Sequence, residues 1–374
     1  MYHKYVKVLV VFTFDYSLET WQSSGTLEKE LKPYKLLNES KNIEFIFLTF
    51  GNRNDKSVET KIKNLKIIPA YDIINKTNSK FLNYLKSFYL PFRLKNQLKG
   101  VDIIKQNQLL GSWVSIILKQ ILKKPLIIRT GYDMYEFSIF EQKKWAIQKL
   151  YKLLTLVSLK ASDVYTVSSY CDKTFLKNEF KNEDVLVRPN WVSNYEYSAF
   201  NERIKNRVIT VGRLENQKNY KYLIESFRNT DFEIDIIGYG SQRNILESFA
   251  KDLNVKVNFL DRLNNNEILD RLKDYRYYIS TSTYEGNPKS VLEALSVGCV
   301  VFASNIKNHK ELINDGANGY LFNLDNDSLR KVFTENYNKE NLGKISKNAK
   351  NNIYETNSIE KYIEAENSDL QNLL

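Results

Sequence analysis

The chain has 374 residues, 43% of them hydrophobic and 26% charged, with a formal net charge of +11. That length suits two domains better than one core, and that composition excludes a disordered or fibrous chain. The apolar runs, such as VLVVF at 8–12, stop well short of the ~20 residues that a bilayer span requires. Two cysteines, Cys171 and Cys299, cannot make a disulfide framework, and the opening residues turn polar too soon for a secretory leader. Both features point to a reducing cytoplasm. The two histidines, His3 and His309, stand far apart, so neither a zinc site nor a histidine-dependent triad is expected.

The charge is unevenly divided. Residues 1–190 hold 31 Lys and Arg against 18 Asp and Glu (+13), and residues 191–374 hold 24 against 26 (−2). A basic first half favours an anionic partner, although a Lys-rich, Asn-rich composition that merely solvates the surface also explains the total.

In chain order, VKVLVVF (6–12), IEFIFLTF (43–50), LKIIPA (65–70), DIIKQN (102–107), LIIRT (126–130) and DVYTVS (163–168) read as strands, with helical segments such as 27–39 between them. The Pro-Asn-aromatic stretch VLVRPNWVSNYEYSAF (185–200) reads as an interdomain linker. Strands then resume at 207–214, 232–240, 255–261, 277–282 and 300–304, with helices fitting 219–230, 241–252, 265–274 and 288–297. Alternation of this kind predicts two doubly wound α/β domains, 1–190 and 191–374, each with a parallel sheet. The carboxyl ends of their sheets would face a shared cleft. The helical tail from about 350 to 374 is expected to pack back on the first domain.

Three stretches of the second half carry chemistry. In VGRLENQKNY, Gly212 lets the backbone pass close to a ligand, and Arg213 and Lys218 can flank a diphosphate. IIGYGSQR (236–243) is a glycine-rich turn like a dinucleotide fingerprint, but the third glycine position holds Arg243. With Asp261 further on, it leaves a nicotinamide-dependent oxidoreductase open as a second reading. In YEGNPKSVLEALSVG, Asn287 suits an N-cap and Pro288 the first turn of a helix whose free N–H groups favour an anion. Glu285 stands just outside that anion site and Glu293 lies in the second turn, where each can accept hydrogen bonds from a diol; a capped core helix with Glu293 in solvent is the plainer reading.

The E-x7-E pattern after a strand, with VGRL…K upstream and INDGANGYLF (313–322) downstream, resembles the family-4 retaining glycosyltransferases of GT-B fold, bacterial surface-polysaccharide type. The resemblance spans essentially all of 207–322. It implies two Rossmann-like domains and transfer of a sugar, with retention, from a UDP- or GDP-sugar to a glycan or polyprenyl-diphosphate-linked acceptor. No metal or other cofactor is implied, since the nucleotide-sugar is a substrate and protein cations replace a metal. By that resemblance Arg213 and Lys218 stabilise the departing diphosphate, Glu285 holds the donor sugar and Glu293 binds the ribose. Gly286, Asn287, Pro288, Lys289 and Ser290 line the donor, Gly212, Gly238 and Arg262 lie near it, and Gly25 in the first loop approaches its phosphates. Many members carry a histidine facing the donor sugar. Here IIRTGYDMYEF (127–137) has none; Arg129 or Asp133 would occupy that space, and Asp133 is a candidate base. DND at 325–327 reads as a surface turn.

The first domain faces the acceptor in this fold. Its segments 78–100 and 142–160 mix aromatic and aliphatic residues with lysine and arginine, as a cytoplasmic enzyme leaning on the inner face of an anionic membrane would show. They equally suit helices with a buried apolar face and solvated lysines. No nucleic-acid-binding motif appears.

Overall fold

The computed structural model describes residues 5–374, so His3 lies outside the described residues. The chain forms two compact units, Met1–Pro189 with Tyr362–Leu374, and Asn190–Lys361.

The first unit is built on seven strands: β1 (Val6–Val11), β2 (Ile43–Thr49), β3 (Lys66–Pro69), β4 (Ile103–Asn107), β5 (Leu126–Thr130), β6 (Val164–Val167) and β7 (Val185–Val187). They lie in the order β3-β2-β1-β4-β5-β6-β7, and every pairing is parallel. Because helices cover both faces of such a sheet, its strands read as continuous apolar runs, and Val8 to Val11 are all fully buried. β7 lies within the stretch read as linker; three residues before a proline give too short a run to stand out from sequence.

The second unit has six strands: β8 (Ile204–Val211), β9 (Glu233–Ile237), β10 (Val257–Leu260), β11 (Tyr275–Ser280), β12 (Val300–Ser304) and β13 (Tyr320–Phe322). Their order is β10-β9-β8-β11-β12-β13, again parallel throughout. Its core on one face is aromatic, with Phe333 against Phe227, Phe232 and Phe302 at ring distances of 5.0 Å. In both sheets the winding reverses once, between β1 and β4 and between β8 and β11. At such a switch point the following loops diverge to opposite faces and leave a crevice at the carboxyl ends of the strands.

The last helix, Ile359–Gln371, begins in the second unit and ends in the first. Within the first unit Glu366 pairs with Lys105 of β4, both almost fully buried, and Asp369 takes a fork of two hydrogen bonds from Arg188 at 2.7 and 2.6 Å. Arg129 of β5 lies 5.4 Å from the Tyr362 ring centre.

Candidate functional site

The loops after β8 and β11 leave the second sheet at its switch point, and they are laced together. Thr283 donates its backbone N–H to the Gln217 carbonyl at 2.9 Å, and the Thr281 hydroxyl reaches the Lys218 carbonyl at 2.7 Å. Gln217 Nε2 donates to the Tyr284 carbonyl at 2.8 Å. This lacing brings the Lys218 ammonium, on the short turn Asn216–Lys218, onto Glu285 Oε1. Ser282 Oγ donates to the same oxygen at 2.7 Å. Burial pushes the Glu285 carboxyl up, but the Lys218 charge and hydrogen bond, with Ser282, outweigh it and hold the pKa below the ordinary glutamate value. Lys218 and Glu285 therefore stand as a charged pair, 67 residues apart in sequence.

Beyond Glu285 the chain enters the helix Lys289–Ser296. Pro288, not Asn287, is its N-cap, so the side-chain cap expected from Asn287 is not made. The backbone there is fixed from outside instead. Asn308 donates to the Gly286 carbonyl, and Asn190 donates to the Asn287 carbonyl at 3.3 Å. Lys289 is exposed, Ser290 half-buried, and Glu293 only 7% exposed, which removes the reading of Glu293 as a solvent-face residue. Its Oε1 accepts from Asn265 Nδ2 at 2.7 Å. Asn265 opens the helix Asn265–Leu272, and no spacing in the sequence ties it to Glu293.

His309 is a second residue that sequence reasoning passed over. It is fully buried, with Nδ1 2.8 Å from the Ser304 carbonyl and Nε2 3.3 Å from Ser280 Oγ. A carbonyl accepts only, so Nδ1 carries the proton and Nε2 accepts from Ser280. Burial pushes its pKa down to about 4 despite the Glu285 charge nearby, so the ring is neutral. Ser304 Oγ donates to the Ser282 carbonyl at 2.5 Å, which ties this platform to the segment holding Glu285.

The glycines of the 236–243 turn have a packing reason. Gly238 has φ of 152°, and a Cβ there would lie 1.9 Å from the Gly212 carbonyl oxygen. A Cβ on Gly240 would meet the Leu214 carbonyl oxygen at 2.4 Å. The turn thus exists to let two backbones touch where β8 and β9 end. On Gly212 itself a Cβ would press Lys218 Cε at 3.0 Å. Arg213 is exposed on the same loop, and the Arg262 guanidinium lies 3.6 Å over the Tyr239 ring. Asp261, offered by the oxidoreductase reading, is an exposed partner of Arg243 at 3.5 Å.

Gly25 and Asp133 belong to the first unit. Gly25, at φ of 70°, closes the helix Leu18–Ser23 by donating to the Gln22 carbonyl at 3.0 Å. Asp133 is 1% exposed and is the N-cap of the helix Met134–Phe140. Its Oδ1 accepts from the Glu136 N–H at 2.8 Å and its Oδ2 from Thr155 at 3.4 Å. Burial nevertheless raises its pKa to about 6. A pocket of about 510 Å³ opens beyond β1 and β2 and is lined by Asp15, Ser17, Glu19, Thr20, Asn52 and Lys76 among others. Among the described residues no group of three or more His, Cys, Asp or Glu could hold a metal ion.

Residues 198–355, which contain the whole Lys218–Glu285–Glu293 arrangement, match the family described as glycosyl transferases group 1. This part of the chain is a group 1 glycosyltransferase domain. Over 310 residues, 77% of this chain and 79% of the relative, the chain is 25% identical to the UDP-Gal:alpha-D-GlcNAc-diphosphoundecaprenol alpha-1,3-galactosyltransferase of Escherichia coli. It is 25% identical over 61% of its length, and 67% of the relative, to the capsular polysaccharide biosynthesis glycosyltransferase CapH of Staphylococcus aureus. Among solved structures, Anabaena HepE in complex with UDP and glucose superposes with a TM-score of 0.76 at 16% identity, over 99% of this chain and 100% of that one. The sucrose-phosphate synthase of Thermosynechococcus elongatus gives 0.81 at 13% identity, over 98% and 99%. The fold is GT-B, with two Rossmann-like units. The oxidoreductase alternative is set aside, because backbone packing accounts for the glycines of its turn and the domain around that turn belongs to the glycosyltransferases.

Proposed function

We propose that this glycosyltransferase moves a hexosyl group, with retention and without a metal, from a UDP-sugar to a polyprenyl-diphosphate-linked saccharide during cell-surface polysaccharide synthesis. The observation that carries the reading is the Lys218–Glu285 pair at the β8/β11 switch point, beside the N-terminus of the helix Lys289–Ser296. A nucleoside diphosphate needs cations and free N–H donors around its phosphates, and a hexose needs fixed acceptors for its hydroxyls. In this proposal Lys218 and Arg213 neutralise the charge that gathers on the diphosphate as the bond to the sugar breaks. Glu285, kept ionised by Lys218 and Ser282, accepts hydrogen bonds from the sugar hydroxyls. The backbone from Gly286 to Ser290 lines the same space, and Glu293, oriented by Asn265, takes the ribose diol. Gly212 and Gly238 keep the floor low, with Arg262 near the base.

UDP is preferred to GDP because a relative that uses UDP-Gal and a structural neighbour that holds UDP accompany this geometry. The acceptor follows from relatives whose substrates are carried on diphosphoundecaprenol. The Asp15–Glu19–Asn52 pocket offers the carboxylates and amides that its neutral sugars would need, with Gly25 on the neighbouring turn. Such an acceptor places the enzyme at the inner face of the cytoplasmic membrane. No nucleic acid takes part.

A panel of UDP- and GDP-sugars, each added with EDTA, tests the donor half by thermal stabilisation. A ligand at a hundredfold excess over its Kd should stabilise by about 2.7 kcal/mol. If no nucleotide-sugar raises Tm and none is consumed in the presence of lipid-linked saccharides, the reading fails. The anomeric configuration of the product, read by NMR, decides retention, and activity that needs an added divalent ion contradicts metal independence.

A further inference from the structure

Two helices of the first unit carry apolar residues outward as well as inward: Tyr84 and Leu154 pack against the core, yet a second apolar face on each helix is left exposed. In the helix Trp145–Ala161 the inward face carries Thr155, Ser158 and Leu159, which are buried, while Ile147, Leu150, Leu153 and Val157 are exposed. Those four recur at spacings of three, three and four, which places them on one side of the helix. Leu150 is 55% exposed and Leu153 58%. The helix Lys80–Ser87 repeats the pattern, with Tyr84 turned inward onto Trp113. Its buried residues are Asn83 and Ser87, and Phe81 at 66%, Leu82 at 46% and Leu85 at 48% face outward. Tyr89 and Phe92 continue that surface, both more than half exposed.

The inward polar residues have fixed partners, so neither helix can roll over to hide its outer apolar face. Ser158 Oγ donates to Ser112 Oγ at 3.0 Å, and Thr155 donates to the buried Asp133. Ser87 Oγ accepts from Trp113 Nε1 at 2.8 Å, and Asn83 exchanges hydrogen bonds of 2.8 Å with the backbone of Thr77. Ser112 and Trp113 are consecutive residues of the helix Ser112–Leu122, so both helices dock on the same end of one helix.

The two stretches themselves carry charge of one sign, although Lys80, Lys143 and Lys152 are paired with Asp15, Glu141 and Glu179 from outside them. Residues 73–101 contain six Lys and Arg and no carboxylate, and residues 142–162 contain five Lys and no carboxylate. Apolar side chains amid lysines, with the exposed rings of Trp145, Tyr89 and Phe92, match a bilayer interface that offers acyl chains below a negative headgroup layer. A second copy of the chain fits poorly, because a symmetric contact would set each cationic stretch against its like. None of the helices among the described residues is long and apolar enough to cross a membrane.

We propose that the outward faces of the helices Lys80–Ser87 and Trp145–Ala161 form a single surface that binds the interface of an anionic lipid bilayer. This rests on the reading of the acceptor as a membrane-borne saccharide, and it adds where the enzyme touches the bilayer. The surface lies in the first unit, while the donor-site residues Lys218, Glu285 and Glu293 lie in the second.

The full-length protein is mixed with phosphatidylglycerol-containing vesicles or with pure phosphatidylcholine vesicles at low salt, and sedimented. The wild type should pellet with the anionic vesicles, lose most of that binding at high salt, and show a shorter-wavelength Trp145 emission when bound. A Leu150→Ser/Leu153→Ser variant should bind about tenfold or more weakly, and so should Phe81→Ser/Leu85→Ser. All these positions are exposed, so Tm should not move. Wild-type protein that stays in the supernatant, or variants that pellet like the wild type, would overturn the proposal. So would variants whose main change is from dimer to monomer in sedimentation velocity, which would assign the face to a second copy. UDP-sugar binding measured on the same samples separates the two readings: its absence with vesicle binding intact removes the donor assignment alone, and its presence without vesicle binding removes the membrane surface alone.

Discussion

A Glu285→Gln substitution leaves the Lys218 ammonium, only 16% exposed, beside a neutral amide. Breaking a largely buried pair from one side costs ~3 kcal/mol, and in the proposed function the donor sugar also loses its anionic acceptor. The expected result is a lower Tm together with a fall in kcat/KM of about a hundredfold or more. Turnover near the wild-type value in a folded Glu285→Gln enzyme would remove Glu285 from the site. His309 gives a pH signature from the same neighbourhood. Its pKa is 6.5 unperturbed and about 4 when folded, so between these values the unfolded chain binds the extra proton. Stability is therefore unaffected by this group above pH 6.5 and falls as pH drops toward 4, by roughly 3 kcal/mol in total. Urea titrations across that window should show the slope, and His309→Gln should flatten it. Glu285 and Lys218, which the structure pairs, were singled out by their motifs as candidates. His309 and Asn265 were not, because a residue that works through hydrogen bonds to a neighbouring loop leaves no periodic mark in the chain.

Elements carry the next set of expectations. A Gly238→Ala change puts a methyl group 1.9 Å from the Gly212 carbonyl oxygen, and backbone on that side cannot step away without moving the Lys218 loop. A loss of ~3 kcal/mol or more, with donor binding weakened in the fraction that folds, is expected from calorimetry and nucleotide titration. Asp133→Asn is the opposite kind of test. Asparagine caps a helix as well as aspartate, so the variant keeps the N-cap and discards any base. Full turnover is expected, since Asp133 is buried and both its oxygens serve the fold. The raised pKa of about 6 means that Asp133 favours the folded state at low pH and that this contribution fades as pH rises from about 4 to about 6. The asparagine variant should lose that dependence. Strand positions were read closely from apolar runs, because strands buried on both faces leave no other pattern. β7 and β13, three residues each, were missed, since so short a run carries too little signal.

At the level of the molecule, the +13 of the first half and the last helix belong together. Removing residues 362–374 would leave Lys105 buried without Glu366 and Arg188 without Asp369. Burial lowers the Lys105 pKa, but Glu366 more than restores it, so the charge persists and an orphaned ammonium would be costly, ~3–5 kcal/mol. A truncated chain should show the first unit melting earlier in calorimetry with the second little changed. The sequence by itself determined the fold class and the two-unit plan, and it singled out the loop-and-helix motif proposed here for the donor, because each rests on local patterns: apolar runs, turn residues, and fixed spacings within one loop and helix. Only the tertiary structure decided which way the amphipathic helices face. Their composition allowed an apolar side packed in the core or an apolar side in the open; the fold has both, with Tyr84, Leu154 and Leu159 toward the core and Phe81, Leu85, Leu150 and Leu153 outside, and distant partners, Ser112, Trp113 and Asp133, fix the inward polar residues. It likewise decided that Lys218 meets Glu285, since the sheet order sets β8 beside β11 and hydrogen bonding across that pair does the rest.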